Sequence, residues 1–153
     1  MKWPVPVIPI IFLLLFSLPI FAQAQSDRAD ILKTIDRLFT GMRTSDSALV
    51  HSAFAANAVL QTVTDAADGS ASAGGDRLED FLLAVAKSKK ESWDEKISDP
   101  QVHIDGNLAA VWAGYTFLLG GKLHHVGIDS FQLVKERDGW RIVYLIDTQK
   151  KSR

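Results

Sequence analysis

Three side chains that can exchange a proton lie within the segment GGKLHHVGIDSFQL, residues 120–133: His124, His125 and Asp129. The segment resembles a β-strand that follows a glycine turn, so His125, Asp129 and Phe131 share one strand face and His124 points to the other. An ionised carboxylate on an apolar face needs hydrogen-bond donors, and burial raises its pKa towards a range useful for proton transfer. Asp129 is therefore the first candidate catalytic residue, with His125 beside it.

A metal site at these residues is not expected. Four residues of strand separate the backbones of His125 and Asp129 by about 13 Å. His124 lies on the other strand face, and His51 and His103 have no partner at a recognisable ligand spacing. The segment TDAADGSASAGG lacks the spaced glycines and the lysine of a phosphate-binding loop. We therefore predict no metal and no cofactor.

The turn at Gly120 and Gly121 predicts which residues surround Asp129. The predicted facing pairs are Thr116 with His125, Gly114 with Gly127, and Trp112 with Asp129. The paired glycines leave a gap in the side-chain layer, which a ligand or a helix can occupy, or which lets the long strand bend. The indole N–H of Trp112 is a possible donor to Asp129.

The following hairpin, at Asp138-Gly139, places further aromatic residues on the same face. Tyr115 and Tyr144 are either pocket residues or ordinary core or interface aromatics. The candidate ligand-binding residues are Trp112, Tyr115, Thr116, His125, Asp129, Phe131 and Tyr144.

Three amphipathic helices are predicted to position this face. Apolar residues at helical spacing (Ile31, Ile35, Leu38, Met42) define the first, and Ser45 or Asp46 can cap a shorter second helix. Residues 58–63 are typical of a strand, and TDAADGSASAGG is predicted to be a loop. Asp76 and Glu79 form a possible capping box for the third helix.

Beyond Lys90 the hydrophobic period changes to two, and the dipeptides Asp105-Gly106, Gly120-Gly121 and Asp138-Gly139 suit hairpin turns. Four antiparallel strands are predicted at 92–104, 107–119, 122–137 and 140–148, with a bulge at Pro100. The result is an α+β fold, helices on a curved, mostly antiparallel sheet. Its outer face also carries apolar residues, which predicts a homodimer through the sheet: Val126, Ile128, Val143 and Leu145.

Composition limits the remaining possibilities. The chain has 153 residues and a formal charge of −1, with basic and acidic residues interleaved, so nucleic acid is not an expected partner. An apolar run over residues 5–21 follows Lys2 and precedes Ala22-Gln23-Ala24, which is typical of a secretory signal peptide. We expect cleavage after residue 24, one domain at 25–153, and a periplasmic or secreted location. The uncleaved signal segment is the one membrane contact expected.

The order of elements resembles the nuclear transport factor 2-like superfamily, which includes SnoaL-like and ketosteroid-isomerase-like proteins. The segment from Val111 to Thr148 is similar to that of exported bacterial members labelled lumazine-binding. The residues that carry this resemblance are Tyr115, Gly121, His125, Gly127, Asp129, Phe131, Gly139, Trp140, Ile142, Asp147 and Thr148. The resemblance implies a cone-shaped fold with a pocket between sheet and helices, on a scaffold that hosts both enzymes and binding proteins.

Two functions remain open. The favoured one is a small-molecule-binding protein whose apolar pocket holds an apolar or cyclic ligand, oriented by Asp129 and His125. The alternative is an isomerase, cyclase or dehydratase in which Asp129 moves a proton and His125 or Tyr115 stabilises an oxyanion. A buried Asp129 that lines an open cavity without protein donors favours the enzyme.

Overall fold

The computed structural model describes residues 18–151, in which three α-helices lie on one face of a six-stranded sheet. The elements are α1 (Leu18–Thr44), α2 (Ser47–His51), β1 (Phe54–Asp65), β2 (Ala71–Gly74), α3 (Leu78–Lys87), β3 (Trp93–Asp105), β4 (Leu108–Leu119), β5 (Lys122–Glu136) and β6 (Gly139–Lys151). The strand order is β2-β1-β6-β5-β4-β3, with β1 parallel to β6 and the other neighbours antiparallel. The predicted α+β class is confirmed.

Helix α1 covers the inner face of the sheet with the stripe expected from its sequence. Ile31, Ile35, Leu38, Phe39 and Met42 are buried there. They belong to one core with inward-facing strand residues: Val111, Phe131, Leu133, Trp140 and Ile142. Because these residues recur at intervals of three and four, they lie on one face of the helix, and that face packs against the sheet.

A buried carboxylate in the first half of α1, Asp27, attaches the helix to the sheet. Asp27 accepts hydrogen bonds from Lys135 Nζ and from Trp140 Nε1, the latter at 3.4 Å. Gln23 on the preceding turn donates to its other oxygen at 3.2 Å. The hydrogen bond from Lys135, with a weaker contribution from Gln23, lowers the pKa of Asp27. The cluster joins α1 to both β5 and β6.

Helix α1 is described from Leu18 onwards, so it includes residues that precede the apolar stripe from which it was predicted. The predicted signal segment lies largely outside the described residues, since these begin at position 18. Within residues 18–151, no helix combines the length and the apolar character needed to cross a bilayer.

Of three local predictions in the helical half, one is confirmed and two need correction. Asp46 does cap α2, accepting a hydrogen bond from Leu49 N at 2.9 Å. The capping box at Asp76 is wrong, because α3 starts after Arg77 without a side-chain cap. The segment predicted as a loop contains the short edge strand β2, whose Gly74 pairs with Thr62 of β1.

The four long strands agree with prediction, and the hairpins differ in detail. Gly120 and Gly121 form the predicted turn, with φ of +57° and +80°. Asp105 instead pairs with Leu108, so that turn consists of residues 106 and 107, and the last hairpin is closed by residues 137 and 138. The predicted bulge beside Pro100 is confirmed by a register shift between Ser98 and Gln101.

Candidate functional site

A β-bulge near the start of β5 determines which side chains surround Asp129. Next to the glycine turn Leu118 pairs with Leu123, whereas the next residue of β4, Phe117, pairs with His125. His124 is therefore an extra residue in β5, and all later pairs are displaced by one position. Because successive strand residues face opposite sides, this displacement exchanges the two faces of β4 relative to β5.

The predicted partners on β4 are consequently wrong. Asp129 faces Ala113, and Gly127 faces Tyr115. Trp112 lies on the outer face with 56% of its surface exposed, and Thr116 is also exposed there. Trp112 therefore gives no hydrogen bond to Asp129, and neither of these two residues lines the cavity described below.

The predicted gap between two glycines is also absent, because Tyr115 occupies the space above Gly127. A Cβ at Gly127 would lie 2.7 Å from Tyr115 Cε1 and 1.7 Å from the carbonyl oxygen of Thr148. The missing side chain lets the Tyr115 ring cross β5 and reach β6. There its hydroxyl donates to Asp147 Oδ2 at 2.9 Å and to the Thr148 carbonyl at 3.1 Å.

A second bulge, at Val143 of β6, changes the inner face again. Leu133 pairs with Ile142 but Gln132 pairs with Tyr144, so Val143 has no partner on β5. Tyr144 is thereby turned away from the cavity and donates to Gln61 Oε1 at 2.6 Å. The inward positions of β6 beyond the bulge are held by Leu145, Asp147 and Gln149, all of which line the cavity.

Phe131 belongs to the hydrophobic core and does not line the cavity. It is fully buried and packs edge-on against Phe39, with ring centroids 6.4 Å apart. Of the seven predicted ligand-binding residues, the cavity walls include His125 and Asp129, and Tyr115 lies directly behind them.

The cavity lies between the inner face of the sheet and helices α1 and α3, and has a volume of about 620 Å³. This volume suits a small organic molecule of one to three rings. Apolar and aromatic side chains form most of its wall, among them Phe39, Met42, Leu60, Phe81, Trp93 and Phe117. Gly74, Gly75 and Asp76 form part of its rim.

Asp129 lies in this cavity without a conventional partner. Its residue surface is 2% exposed, and its Oδ2 is the one buried side-chain oxygen or nitrogen of the described chain that has no hydrogen-bond partner. Burial raises the pKa of Asp129 to about 7, a hydrogen bond with Glu95 opposes this, and the charge of Asp147 adds to it. Asp129 thus exchanges its proton near neutral pH.

Glu95 of β3 is the close companion of Asp129. Burial of the carboxyl, followed by the charge of Asp129 and their mutual hydrogen bond, raises the pKa of Glu95 well above its ordinary value. Two carboxyl groups this close cannot both ionise without cost, so they share a proton and titrate as a pair. The shared proton therefore belongs to the pair of carboxyl groups.

Tyr115 and Asp147 form a satisfied pair at the edge of this cluster. Burial and the charge of Asp147 raise the pKa of Tyr115 far above its usual value. The phenol therefore stays protonated and continues to donate to Asp147. Its hydrogen is committed to protein oxygens, which makes Tyr115 a positioning residue for Asp147.

Two histidines lie side by side in the cavity wall. The bulge turns His124 to the same side as His125, contrary to the prediction from strand alternation, and their Nδ1 atoms are 2.7 Å apart. The His125 ring stacks on Phe117 with centroids 4.8 Å apart. Burial, and then the neighbouring His124, lower the pKa of His125, so it is neutral at physiological pH. Within the described chain, no three His, Asp or Glu side chains are grouped as metal ligands.

Two acidic residues of the site were missed in the sequence. Glu95 lies two positions from both Trp93 and Ile97, which share its strand face, so alternation alone could have identified it. Asp147 reaches the inner face only because of the bulge at Val143. No local pattern around Val143 indicates that bulge.

A long helix over an open, curved sheet, with a cavity between them and titratable residues in its wall, defines a nuclear transport factor 2-like protein. Residues 23–146 match the model of the SnoaL-like domain, and the chain belongs to that family.

Solved structures show the same fold at low sequence identity. A nuclear transport factor 2-like protein with a cystatin-like fold from Novosphingobium aromaticivorans superposes with a TM-score of 0.72 at 14% identity, covering 91% of this chain and 92% of its own. A candidate dehydratase of the same superfamily from Streptomyces avermitilis gives 0.63 at 16% identity, covering 84% and 99%. A candidate aromatic ring hydroxylase from Novosphingobium aromaticivorans gives 0.61 at 13%, covering 84% and 92%. None of the curated proteins matches this chain.

Proposed function

We propose that this chain is an enzyme of the isomerase or dehydratase type, which moves a proton on a small, largely apolar cyclic molecule. The observation that carries the proposal is Asp129, buried in the cavity wall, with an oxygen that lacks a donor and a proton shared with Glu95. General acid–base catalysis is most efficient when the pKa of the catalytic group lies near the working pH. Asp129 meets that condition.

The neighbouring groups suggest a division of roles. Asp129 removes a proton from carbon, or returns one, and Glu95 holds the shared proton. His125 is neutral, and its Nδ1 contacts His124. Its Nε2 is therefore the atom that forms a hydrogen bond with an oxygen of the ligand. The earlier alternative of Tyr115 as oxyanion donor is weaker, because its hydroxyl already bonds Asp147.

A binding protein without chemistry is the second candidate. The largely apolar wall of the cavity favours it, since such walls hold ligands by burial of their surface. The superfamily neighbour described as a candidate dehydratase supports the enzyme instead. The resemblance to lumazine-binding proteins remains a prediction.

We also propose that the chain is exported, with residues 1–24 removed and the domain located in the periplasm or outside the cell. The apolar run at 5–21 and the small residues at 22–24 support this proposal. The experiments below therefore use the chain purified after export, as the cell processes it.

The proposed function can be tested without the natural substrate. 5-Nitrobenzisoxazole is an apolar bicyclic compound, and a base that removes its C3 proton breaks the N–O bond and releases a coloured phenolate. We expect catalysis whose kcat/KM rises with pH through about 7, the pKa of Asp129. Asp129→Asn should lower kcat/KM roughly 100-fold, the usual contribution of a general base.

Asp105→Asn is the matched control, because Asp105 is an exposed carboxylate at the end of β3 and outside the cavity. It should leave the rate unchanged. Equal rates for wild type and Asp129→Asn would overturn the enzymatic proposal. Saturable binding of the probe without turnover would support the binding protein instead.

A further inference from the structure

The cavity wall is acidic, and its charge is not balanced from within. Four carboxyl groups line it: Asp76, Glu95, Asp129 and Asp147. No Lys or Arg is among the described residues of that wall. A ligand that enters therefore meets acidic groups and histidines, and its own charge decides whether it is attracted.

The cationic side chains nearest to Glu95 in sequence and space are committed elsewhere. Asp94 and Lys96 alternate with Glu95 along β3 and form an ion pair at 3.3 Å. Arg43 of α1 also pairs with Asp94, at 3.3 Å. Arg43 and Lys96 line a second cavity together with Glu95. Both are paired with Asp94, and neither is among the described residues that line the cavity containing Asp129.

Asp129 Oδ2 supplies a separate indication of a ligand. Asp129 is only 2% exposed and lines the cavity. Its Oδ2 has no hydrogen-bond donor in the described protein. A buried carboxylate oxygen without a donor is costly. A ligand that brings an N–H donor to this atom removes that cost.

We infer that the cavity binds a protonated amine with an apolar cyclic body, its ammonium group placed between Asp129 and Glu95. The inference rests on the proposal that this cavity is the ligand site. An ammonium group has three donors and can bond both carboxylates at once. The ring would lie against the aromatic wall, where Trp93 and Phe117 pack edge-on with centroids 6.4 Å apart. Aromatic faces also attract a cation directly.

Other ligand charges fit less well. A carboxylate or phosphate would add a negative charge beside Asp129, Glu95 and Asp147, at a cost that low polarity increases. An alcohol can donate one hydrogen bond to Asp129 but leaves the two carboxyl groups sharing their proton. The site therefore ranks amine over alcohol over acid for molecules of the same shape.

Binding of the ammonium form also releases a proton. A cation between Asp129 and Glu95 favours the ionised state of both, so the shared proton leaves to solvent. The titratable groups that line the cavity with this pair are His124 and His125 from β5, Asp147 from β6 and Asp76 from the rim, and α1 and α3 contribute Leu38, Phe39, Met42 and Phe81. The charges of Glu95 and Asp129 also act on Tyr115 of β4. Asp36 and Arg43 of α1 and Lys96 of β3 line a second cavity with Glu95.

The test compares three molecules of one shape: 1-naphthylmethylamine, 1-naphthylmethanol and 1-naphthoate. Isothermal titration calorimetry at pH 7 measures their affinities for the exported protein. We expect the amine to bind at least tenfold more tightly than the alcohol, and the acid more weakly than either. Repeating the amine titration in two buffers of different ionisation enthalpy should show net proton release.

Substitutions locate the effect. Asp129→Asn should reduce the preference for amine over alcohol to less than threefold, whereas Asp105→Asn should keep it. Glu95→Gln should retain amine binding and release fewer protons per amine bound, because Asp129 is then the one titrating member of the pair. Glu136→Gln, an exposed carboxylate on β5, is its control. Circular dichroism confirms that each variant is folded.

The outcomes separate this inference from the proposed function. Alcohol binding as tight as amine binding, proton uptake in place of release, or no binding of the amine at millimolar concentration would each overturn the inference. The wild-type titrations alone suffice for this, even where a variant does not fold. Turnover of 5-nitrobenzisoxazole with no amine preference leaves the enzyme standing, and amine preference without turnover leaves a binding protein for amines.

Discussion

Neither cross-strand neighbour of Asp129 donates a hydrogen bond to its carboxyl group. On β4 it faces the methyl group of Ala113, and on β6 it faces Asp147, a like charge already bonded to Tyr115. The nearest polar group is then Glu95, another acid. This combination explains why a carboxyl group in the core keeps its proton up to about neutral pH.

Because Asp129 is buried in this way, the free energy of unfolding should depend on pH. The pKa of Asp129 is about 7 in the native state and 3.8 in the unfolded chain, so the native state retains a proton that the unfolded state loses. Native stability therefore falls as pH rises between these values. Asn carries no charge at any pH, and we expect Asp129→Asn to gain about 1–3 kcal/mol over wild type at pH 8 and little at pH 4.

Urea unfolding at the two pH values measures this difference. The groups that face Asp129, namely Glu95, Tyr115, His125 and Asp147, are the same in both proteins. Asp105→Asn should show no such dependence on pH. A variant Asp129→Asn that is less stable than wild type at pH 8 would contradict the burial of an uncompensated charge.

Gly127 is the residue that allows Tyr115 to reach Asp147. A methyl group there would overlap the Thr148 carbonyl and the tyrosine ring. We expect Gly127→Ala to destabilise the fold by about 2 kcal/mol or more, because both contacts involve groups that cannot move freely. Gly74→Ala is the control, since a Cβ at Gly74 meets no atom within 4 Å. Thermal unfolding that shows equal effects for the two alanines would disprove this explanation.

At the scale of the elements, α1 is held on the sheet by a charge in its first half, Asp27, as well as by its apolar stripe. Asp27 has a lowered pKa, so its contribution to stability is present above 3.8 and is lost as pH falls below that value. We expect Asp27→Asn to cost about 1–2 kcal/mol at pH 7, because it leaves Lys135 without its buried partner. The difference from wild type should vanish near pH 2 in chemical denaturation.

Asp30, one turn further along α1 and exposed, provides the control Asp30→Asn. Its substitution should leave stability nearly unchanged at both pH values. An equal loss from Asp30→Asn would mean that the helix, rather than the contact with Lys135 and Trp140, accounts for the effect.

The elements that follow from local patterns were predictable, and the register between them was not. Helical stripes, the cap at Asp46, the Gly120–Gly121 turn and the bulge beside Pro100 are all visible in the sequence. The bulges at His124 and Val143 are not, because each is selected by the difference in packing between two whole registers. They exchange Trp112 for Ala113, Thr116 for Tyr115 and Tyr144 for Leu145 on the inner face.

The residues of the candidate site divide along the same line. His125 and Asp129 belong to β5 itself, so strand alternation placed both correctly on the inner face. The neighbours contributed by β4 and β6 depend on cross-strand register, and the prediction for them was wrong. One extra residue in β5, His124, was enough to place the methyl group of Ala113 opposite Asp129, where the prediction had placed the indole of Trp112.

The whole molecule presents a second apolar surface, on the sheet face away from the helices. Its exposed members are Trp112 at 56%, Leu108 at 52%, and Val59 and Leu123 at 48% each. Val126 and Ile128 lie on the same face, as predicted, whereas Leu145 turns inward after the Val143 bulge. We propose that two copies of the chain associate through this face, since an apolar surface of this extent is unusual for a monomer.

Light scattering during gel filtration tests the association. We expect wild type to elute as a dimer and Trp112→Glu as a monomer, because a charge at the centre of an apolar interface is strongly unfavourable. Leu83→Glu introduces the same charge at an equally exposed residue of α3, on the opposite side of the molecule, and should remain dimeric. A monomeric wild type would exclude the proposed interface.

The parallel pairing of β1 with β6 joins the early and late parts of the chain, as Leu60 lies beside Leu145. Strands β3 to β6 form three successive hairpins whose contacts are local in sequence and close quickly. Until β6 has been synthesised, strand β1 has the four-residue strand β2 as its partner. We therefore expect folding to proceed from the C-terminal hairpins towards the N-terminus, which would leave β1 without its long partner strand for as long as β6 is missing.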